Sequence, residues 1–299
     1  MLSKPIRNLR GLLIFGCCTL NTIVWVTPLI VFAFLKLLMP VKPVRRVLTR
    51  WIMAVGENWI SVNAFLFARI NATKWDIRGA DDFDTNNWYL VVANHQTWID
   101  IVVLQTVLNR RIPFLKFFIK QQLIWFPLLG FAWWAMDMPF MKRYSKSYLA
   151  KHPDKKGKDL EATRKSCEKF RDTPTTVINF LEGTRFTEEK KAHRASRFNH
   201  LLPPRAGGIA LALNSMGDMF DAILDVTLVY PSSAADFWGM MCGEFSHVIV
   251  DIKKRPIEAW IVAGEYETDR DHRRQFHQWL TRIWREKDER ISSLKGEMG

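Results

Sequence analysis

Residues 94–100 read Asn-His-Gln-Thr-Trp-Ile-Asp and set an imidazole and a carboxylate five positions apart, directly after the apolar run 88–93. A histidine backed by an acid is a proton-transfer pair. The carboxylate fixes the ring's tautomer and stabilises the imidazolium, while the other ring nitrogen takes a proton. On one regular helix, at about 3.6 residues per turn, a separation of five turns the two side chains about 140° apart. They meet only if His95 lies in the turn ahead of a helix begun at Thr97, so that Asp100, at the third helical position, points back. A capping box of Thr97 and Asp100 is the alternative use of the same residues, and it leaves Asn94 and His95 unexplained. With no serine or cysteine beside it, the pair reads as a base that activates a substrate's own hydroxyl.

A complementary half follows the apolar run 175–181, where the chain reads Glu182-Gly183-Thr184-Arg185. Gly183 lets backbone amides approach a ligand, Thr184 offers a hydroxyl, and Arg185 offers a fork suited to phosphate. Lys142 and Arg143, after the run 135–141, add two more cations. No metal site is expected: His193 and His200 fall in a basic, irregular stretch and read as solvent-facing. Cys17, Cys18, Cys167 and Cys242 show no C-x-x-C spacing, so neither a zinc site nor an oxidised scaffold is indicated, and a reduced, cytosol-facing domain fits.

These groups need a scaffold that gathers them. Short apolar runs at 88–93, 135–141, 175–181, 223–229 and 247–252 read as strands alternating with helical patterns, the signature of an α/β domain with a mostly parallel sheet flanked by helices. In such sheets the loops at the carboxyl ends of the strands form the ligand crevice, which brings base, acid and cations together. The Lys-rich connection after 143 ends in a helix over 158–171, and Phe276, Leu280, Ile283 and Trp284 mark one face of a closing helix.

The formal charge of +13 is unevenly spread: residues 1–50 carry eight cations and no acid. Between them, residues 11–35 are uncharged for 25 positions, long enough to enter a hydrocarbon core about 30 Å thick. The stretch is too long for a signal-peptide core and no small-x-small cleavage site follows, so it reads as a membrane-embedded segment. Cations at both ends suit a re-entrant hairpin with its tip at Asn21 and Thr22 and a break at Pro28; a single tilted span is the other option. Residues 45–70 mix Arg with Trp51 and Trp59 as a helix that lies among headgroups or packs on the domain. The chain thus divides into membrane-anchoring helices over 1–70, an α/β domain over 71–265 and an amphipathic helix over 266–299.

The site sequences resemble those of the lysophosphatidic acid acyltransferase family (1-acylglycerol-3-phosphate O-acyltransferases). "NHQTWID" matches that family's N-H-x4-D box, "FLEGTR" matches its F-P-E-G-T-R box with Leu181 for Pro, and "FMKR" resembles its F-I-x-R box with Met141 for Ile. Lys120, Leu123, Pro127 and Gly130 fit the spacer between them, and Asp137 stands where the second box normally has Gly. "VYP" at 229–231 loosely matches the fourth box, and the closing "WLTRIWREKDERI" is similar to the tail of the branch that includes lysocardiolipin acyltransferases.

This resemblance implies a glycerolphosphate acyltransferase-like fold and an enzyme that moves a fatty acyl group from acyl-CoA or acyl carrier protein to the free hydroxyl of a lysophospholipid. His95 would be the general base and Asp100 its partner. Lys142, Arg143, Glu182, Gly183, Thr184 and Arg185 would bind the acceptor's phosphate and glycerol region. No cofactor is implied. The partners would be donor, acceptor and membrane lipids, at the cytosolic face of a membrane, the inner membrane in a bacterium. Nucleic acid is not expected, because the basic arms lack an aromatic-basic binding motif.

Overall fold

The computed structural model describes residues 3–71, 73–79, 81–126, 129–141, 167–171, 173–230, 236–245 and 247–297. Two long helices come first, α1 (Lys4–Leu38) and α2 (Lys42–Asn71). The strands and helices of the α/β domain follow as β1 (Lys74–Arg78), β2 (Tyr89–Ala93), α3 (Ile99–Leu108), β3 (Leu115–Phe117), β4 (Ile119–Lys120), α4 (Leu129–Ala135), β5 (Phe140–Met141), β6 (Thr176–Phe180), α5 (Glu188–His193), α6 (Ala206–Met216), β7 (Ala222–Val229), α7 (Phe237–Met241), β8 (His247–Arg255) and α8 (Ala259–Ala263). Helix α9 (Arg270–Gly296) closes the chain.

Six strands form one sheet in the order β1-β8-β7-β2-β6-β3, parallel at every pairing except β7 with β8. β2 is central, and all five of its residues are buried, as both faces of a parallel sheet require. Leu90 and Val92 pack with α6 and α9, whereas Tyr89, Val91 and Ala93 pack with α3 and α7. The α/β class with a mostly parallel sheet is what the apolar runs imply.

The expected strand over 135–141 is shortened to Phe140–Met141, because the residues before it finish helix α4. Asp137 takes φ +57 there. Its N–H donates to Trp134 O and that of Met138 to Trp133 O, the paired bonds of a left-handed helix C-cap. A non-glycine residue gives up about 1–2 kcal/mol in that conformation, and an ion pair to Lys36 of α1 at 2.6 Å holds Asp137 in place. Most of the expected helix over 158–171 lies outside the described residues; within them only a single 3-10 turn, Glu168–Phe170, is seen. β1, β3 and β4 were not anticipated.

Helix α1 is one continuous helix of 35 residues that passes through Pro28, so Asn21 and Thr22 are mid-helix and form no tip. Instead Asn21 Nδ2 donates to Trp59 O at 3.0 Å and to Asn63 Oδ1 at 2.9 Å, stitching α1 to α2. Leu29 and Ala33 pack with Ile52 and Val55 of α2 and with Ala132 and Ala135 of α4. The outer face keeps Leu9, Leu13, Leu20, Ile23, Phe34 and Leu37 exposed. α1 is long and apolar enough to cross a membrane.

Candidate active site

β2 delivers Asn94 and His95 to the carboxyl edge of the sheet, between β6 and β7. Asn94 carries the ladder one step beyond the strand with its side chain: Nδ2 donates to Leu228 O at 3.0 Å and Oδ1 accepts from Leu228 N at 2.8 Å. Gln96 Nε2 donates to the same carbonyl at 2.8 Å. The loop therefore leaves the sheet with its polar groups satisfied, as burial demands.

His95 lies outside the helix, and its Nδ1 is 2.8 Å from Asp100 Oδ2. The helix begins at Ile99, two residues later than expected, so Asp100 is its second residue. Oδ2 also accepts the amides of Gln96 at 2.6 Å and Thr97 at 3.0 Å. With two backbone donors already on that oxygen, the imidazole must be a third donor, which puts the proton on Nδ1 and the lone pair on Nε2. The capping use of Asp100 and its use behind His95 are thus one arrangement. Oδ1 accepts from the buried Tyr230 hydroxyl at 2.7 Å. Burial, and then the Asp100 carboxylate, push the Tyr230 phenol far above its ordinary range and keep it a donor. The imidazole stacks on Phe180 at 4.1 Å between ring centres, and no protein group among the described residues bonds Nε2.

The family model described as Acyltransferase matches residues 74–231, more than half of the chain and all of this constellation. The chain belongs to the acyltransferase family. Among curated relatives, the human 1-acyl-sn-glycerol-3-phosphate acyltransferase delta is 27% identical over 213 residues, covering 67% of this chain and 51% of that protein. The probable 1-acyl-sn-glycerol-3-phosphate acyltransferase 5 of Arabidopsis thaliana is 26% identical over 230 residues, covering 69% and 58%. This chain spans little more than half the length of the curated relatives it matches. The crystal structure of the 1-acyl-sn-glycerophosphate acyltransferase PlsC from Thermotoga maritima superposes with a TM-score of 0.53 at 16% identity, covering 96% of this chain and 98% of that one, which shows a common fold.

The second half of the candidate site is built from the turn after β6. Gly183 takes φ +66, a left-handed turn that suits glycine, and turns Glu182 inward while Gly183 itself stays exposed. Glu182, expected to contact the acceptor, points into the protein. Its carboxyl is fully buried, with Oε1 accepting His95 N at 2.8 Å and Oε2 accepting Leu202 N at 3.0 Å. Burial lifts its pKa to about 7, against the two amides that favour the charged form. Glu182 braces the loop, with one amide on each oxygen.

Thr184 and Arg185 remain at the surface. Lys190 Nζ donates to Thr184 Oγ1 at 3.1 Å and to Arg185 O at 2.9 Å. The Arg185 guanidinium lies 4.2 Å above the exposed Trp98 ring and faces no carboxylate within ion-pair distance among the described residues. The amides of Thr184 and Arg185 have no backbone acceptor there either. The Phe186 amide donates to His95 O at 2.7 Å, tying this turn to the base. Lys142 and Arg143 lie outside the described residues. His193 is exposed as expected, whereas His200 is half-buried, with Nε2 3.0 Å from Ser292 Oγ. Among the described residues, no group of His, Cys, Asp and Glu is arranged to hold a metal ion.

The arrangement can take a proton at Nε2, hold the resulting imidazolium against a buried carboxylate, and offer cations and free amides to an anion a few residues away. Sequence reasoning did not assign Tyr230 or the inward Glu182. The signals for Tyr230 were the loose fourth-box match of "VYP" at 229–231 and its place at the end of an apolar run that the topology sets beside β2.

Proposed function

We propose that this chain is a membrane-bound O-acyltransferase that moves a fatty acyl group from a thioester donor to the free hydroxyl of a lysophospholipid such as lysophosphatidic acid. The observation that carries this reading is the 2.8 Å contact between His95 Nδ1 and Asp100, made from a turn outside the helix. The acceptor hydroxyl gives its proton to His95 Nε2 as its oxygen attacks the thioester carbonyl carbon. Collapse of the tetrahedral adduct breaks the C–S bond, and the imidazolium returns the proton to the leaving thiolate. Asp100 stabilises the imidazolium between those steps. Gly183, Thr184 and Arg185, together with Lys142 and Arg143, bind the acceptor's phosphate and glycerol. The donor is acyl-CoA or acyl carrier protein, and no cofactor takes part.

Residues 1–70 anchor the chain, 71–265 carry the chemistry and 266–299 cover the sheet. The anchor lies along the membrane surface, in plane with it rather than as a perpendicular span or a re-entrant hairpin. At about 1.5 Å per residue α1 is roughly 52 Å long, yet both of its ends touch the α/β domain. Arg10 Nε donates to Cys242 O at 2.9 Å near one end, and Lys36 pairs with Asp137 near the other. A perpendicular helix would put those two contacts on opposite sides of the bilayer. The exposed apolar face supports burial in lipid on the cytosolic side, in a bacterium at the inner membrane, where lysophospholipids reside.

Free thiol released from acyl-CoA by the purified chain should depend on added lysophospholipid, and His95→Ala should abolish it with unfolding behaviour unchanged. Acceptor-independent release would mark a thioesterase, and activity in the His95 variant would refute the mechanism. Replacing acyl-CoA by acyl carrier protein in the same assay assigns the donor.

A further inference from the structure

The backbone of His95 is held by a relay that ends on α9, beyond the family-matched residues 74–231. Asp288 accepts the amides of Asn199 at 2.7 Å and His200 at 2.8 Å. One turn earlier, Trp284 Nε1 donates to Leu202 O at 2.8 Å. Leu202 N reaches Glu182, whose other oxygen holds His95 N. Trp284, Leu202 and Glu182 are fully buried and Asp288 nearly so. Residues 199–202 belong to no helix or strand, so side chains set their course, and the Ser196 hydroxyl adds one contact to Leu201 O at 2.7 Å. A helix needed only to cover the sheet would place apolar residues there, because burying a carboxylate is costly unless donors meet it.

Lys287, between these two, serves the other side of the loop. It is fully buried, pairs with Asp225 at 2.6 Å and donates to Val226 O and Thr227 Oγ1 on β7. Two residues on, Leu228 binds Asn94 and Gln96. One turn of α9 thus grips both walls of the loop that presents His95.

We propose that α9 is part of the active-site apparatus, with Asp288 and Trp284 as positioning residues that fix the His95 backbone through residues 199–202 and Glu182. The consequence for catalysis rests on His95 being the base. Asp288→Ala frees two amides, loosens Leu202 and lets Glu182 move, which displaces the imidazole relative to substrate. A misplacement of an ångström or less costs on the order of 10- to 100-fold in rate. Trp284→Phe deletes one donor and keeps most of the packing.

The test compares Asp288→Ala and Trp284→Phe with Leu294→Ala, a buried residue of the same helix and core, in the full chain. The two positioning variants should lower kcat on the order of 10- to 100-fold and leave both KM values in place, with Asp288→Asn intermediate because its one oxygen serves one amide. Leu294→Ala should lose stability and keep kcat. Amide hydrogen exchange at 94–96 and 199–202 reads the brace with no substrate present: it should quicken in Asp288→Ala beyond any change in Leu294→Ala. Equal exchange in the two variants, or a kcat loss that merely tracks their unfolded fractions, overturns the proposal. A failed functional reading shows instead as wild-type protein releasing no acceptor-dependent thiol.

Discussion

Asp100→Asn separates two roles of the carboxylate, because the structure dictates how the amide must sit. Oδ2 receives three donors, His95 Nδ1, Gln96 N and Thr97 N, so the Asn oxygen takes that position and its NH2 turns towards Tyr230. The Tyr230 oxygen can accept, and the imidazole keeps its Nδ1 proton. The variant therefore retains tautomer and ring orientation and loses only the charge that faces the imidazolium. Two unit charges about 4 Å apart at an effective dielectric of about 20 interact by about 4 kcal/mol. At about 1.4 kcal/mol per decade this sets a ceiling near 10³-fold on the loss in kcat. A loss of about 10²- to 10³-fold is expected, smaller than the roughly 10⁴-fold that follows where such a substitution forces the wrong tautomer. The assay is lysophospholipid-dependent thiol release at saturating donor and acceptor, with His95→Ala as the floor. A kcat within about tenfold of wild type would refute the electrostatic role, and a fall to the His95→Ala floor would refute the argument that the tautomer survives.

Tyr230→Phe removes one hydrogen bond to a buried carboxylate and should cost about 1.5–3 kcal/mol in thermal or denaturant unfolding. Its effect on kcat should be smaller than that of Asp100→Asn, since the oxygen that holds the imidazole keeps its other donors. Glu182→Gln tests a pH linkage. The folded pKa of Glu182 is raised from 4.5 to about 7, so its burial contributes stability that is fully present below 4.5 and lost as pH rises through 7. Wild-type protein should therefore gain stability relative to the Gln variant as pH falls from 7 to 4.5; a pH-independent difference between their unfolding midpoints would contradict the assignment.

The central strands were legible because a strand buried on both faces is a short, apolar-rich run, and 88–93, 175–181, 223–229 and 247–252 are runs of that kind despite the polar residues inside the last three. β1 was missed because Lys74, Asp76 and Arg78 give the sheet edge a polar strand with no such run. The run over 135–141 misled because Trp133 and Trp134 finish a helix whose left-handed cap falls on an aspartate, where a glycine would have announced the stop. His95 and Asp100 were readable since both lie within one loop and its helix. Tyr230, Leu202 and Asp288 were not, because their relation to that loop exists only once the order β7-β2-β6 and the docking of α9 are fixed. The inward direction of Glu182 was hidden for a related reason: beside Gly-Thr-Arg a carboxylate looks like a ligand contact, and only the backbone at Gly183 decides which way it faces.

Asn94 joins loop and sheet so closely that they share one rigidity. Its amide stands in for a peptide group, donating and accepting at Leu228 like the next rung of the ladder. Asp in its place would have no donor, and Gln would reach one methylene too far. Displacing the loop breaks rungs of a central, fully buried pairing, and the free energy of such an opening approaches that of unfolding the domain. The histidine is consequently a fixed landmark: under the proposed function the acceptor hydroxyl has to be carried to it, and the adaptability needed to accept substrates of different shape belongs to parts of the protein outside this loop.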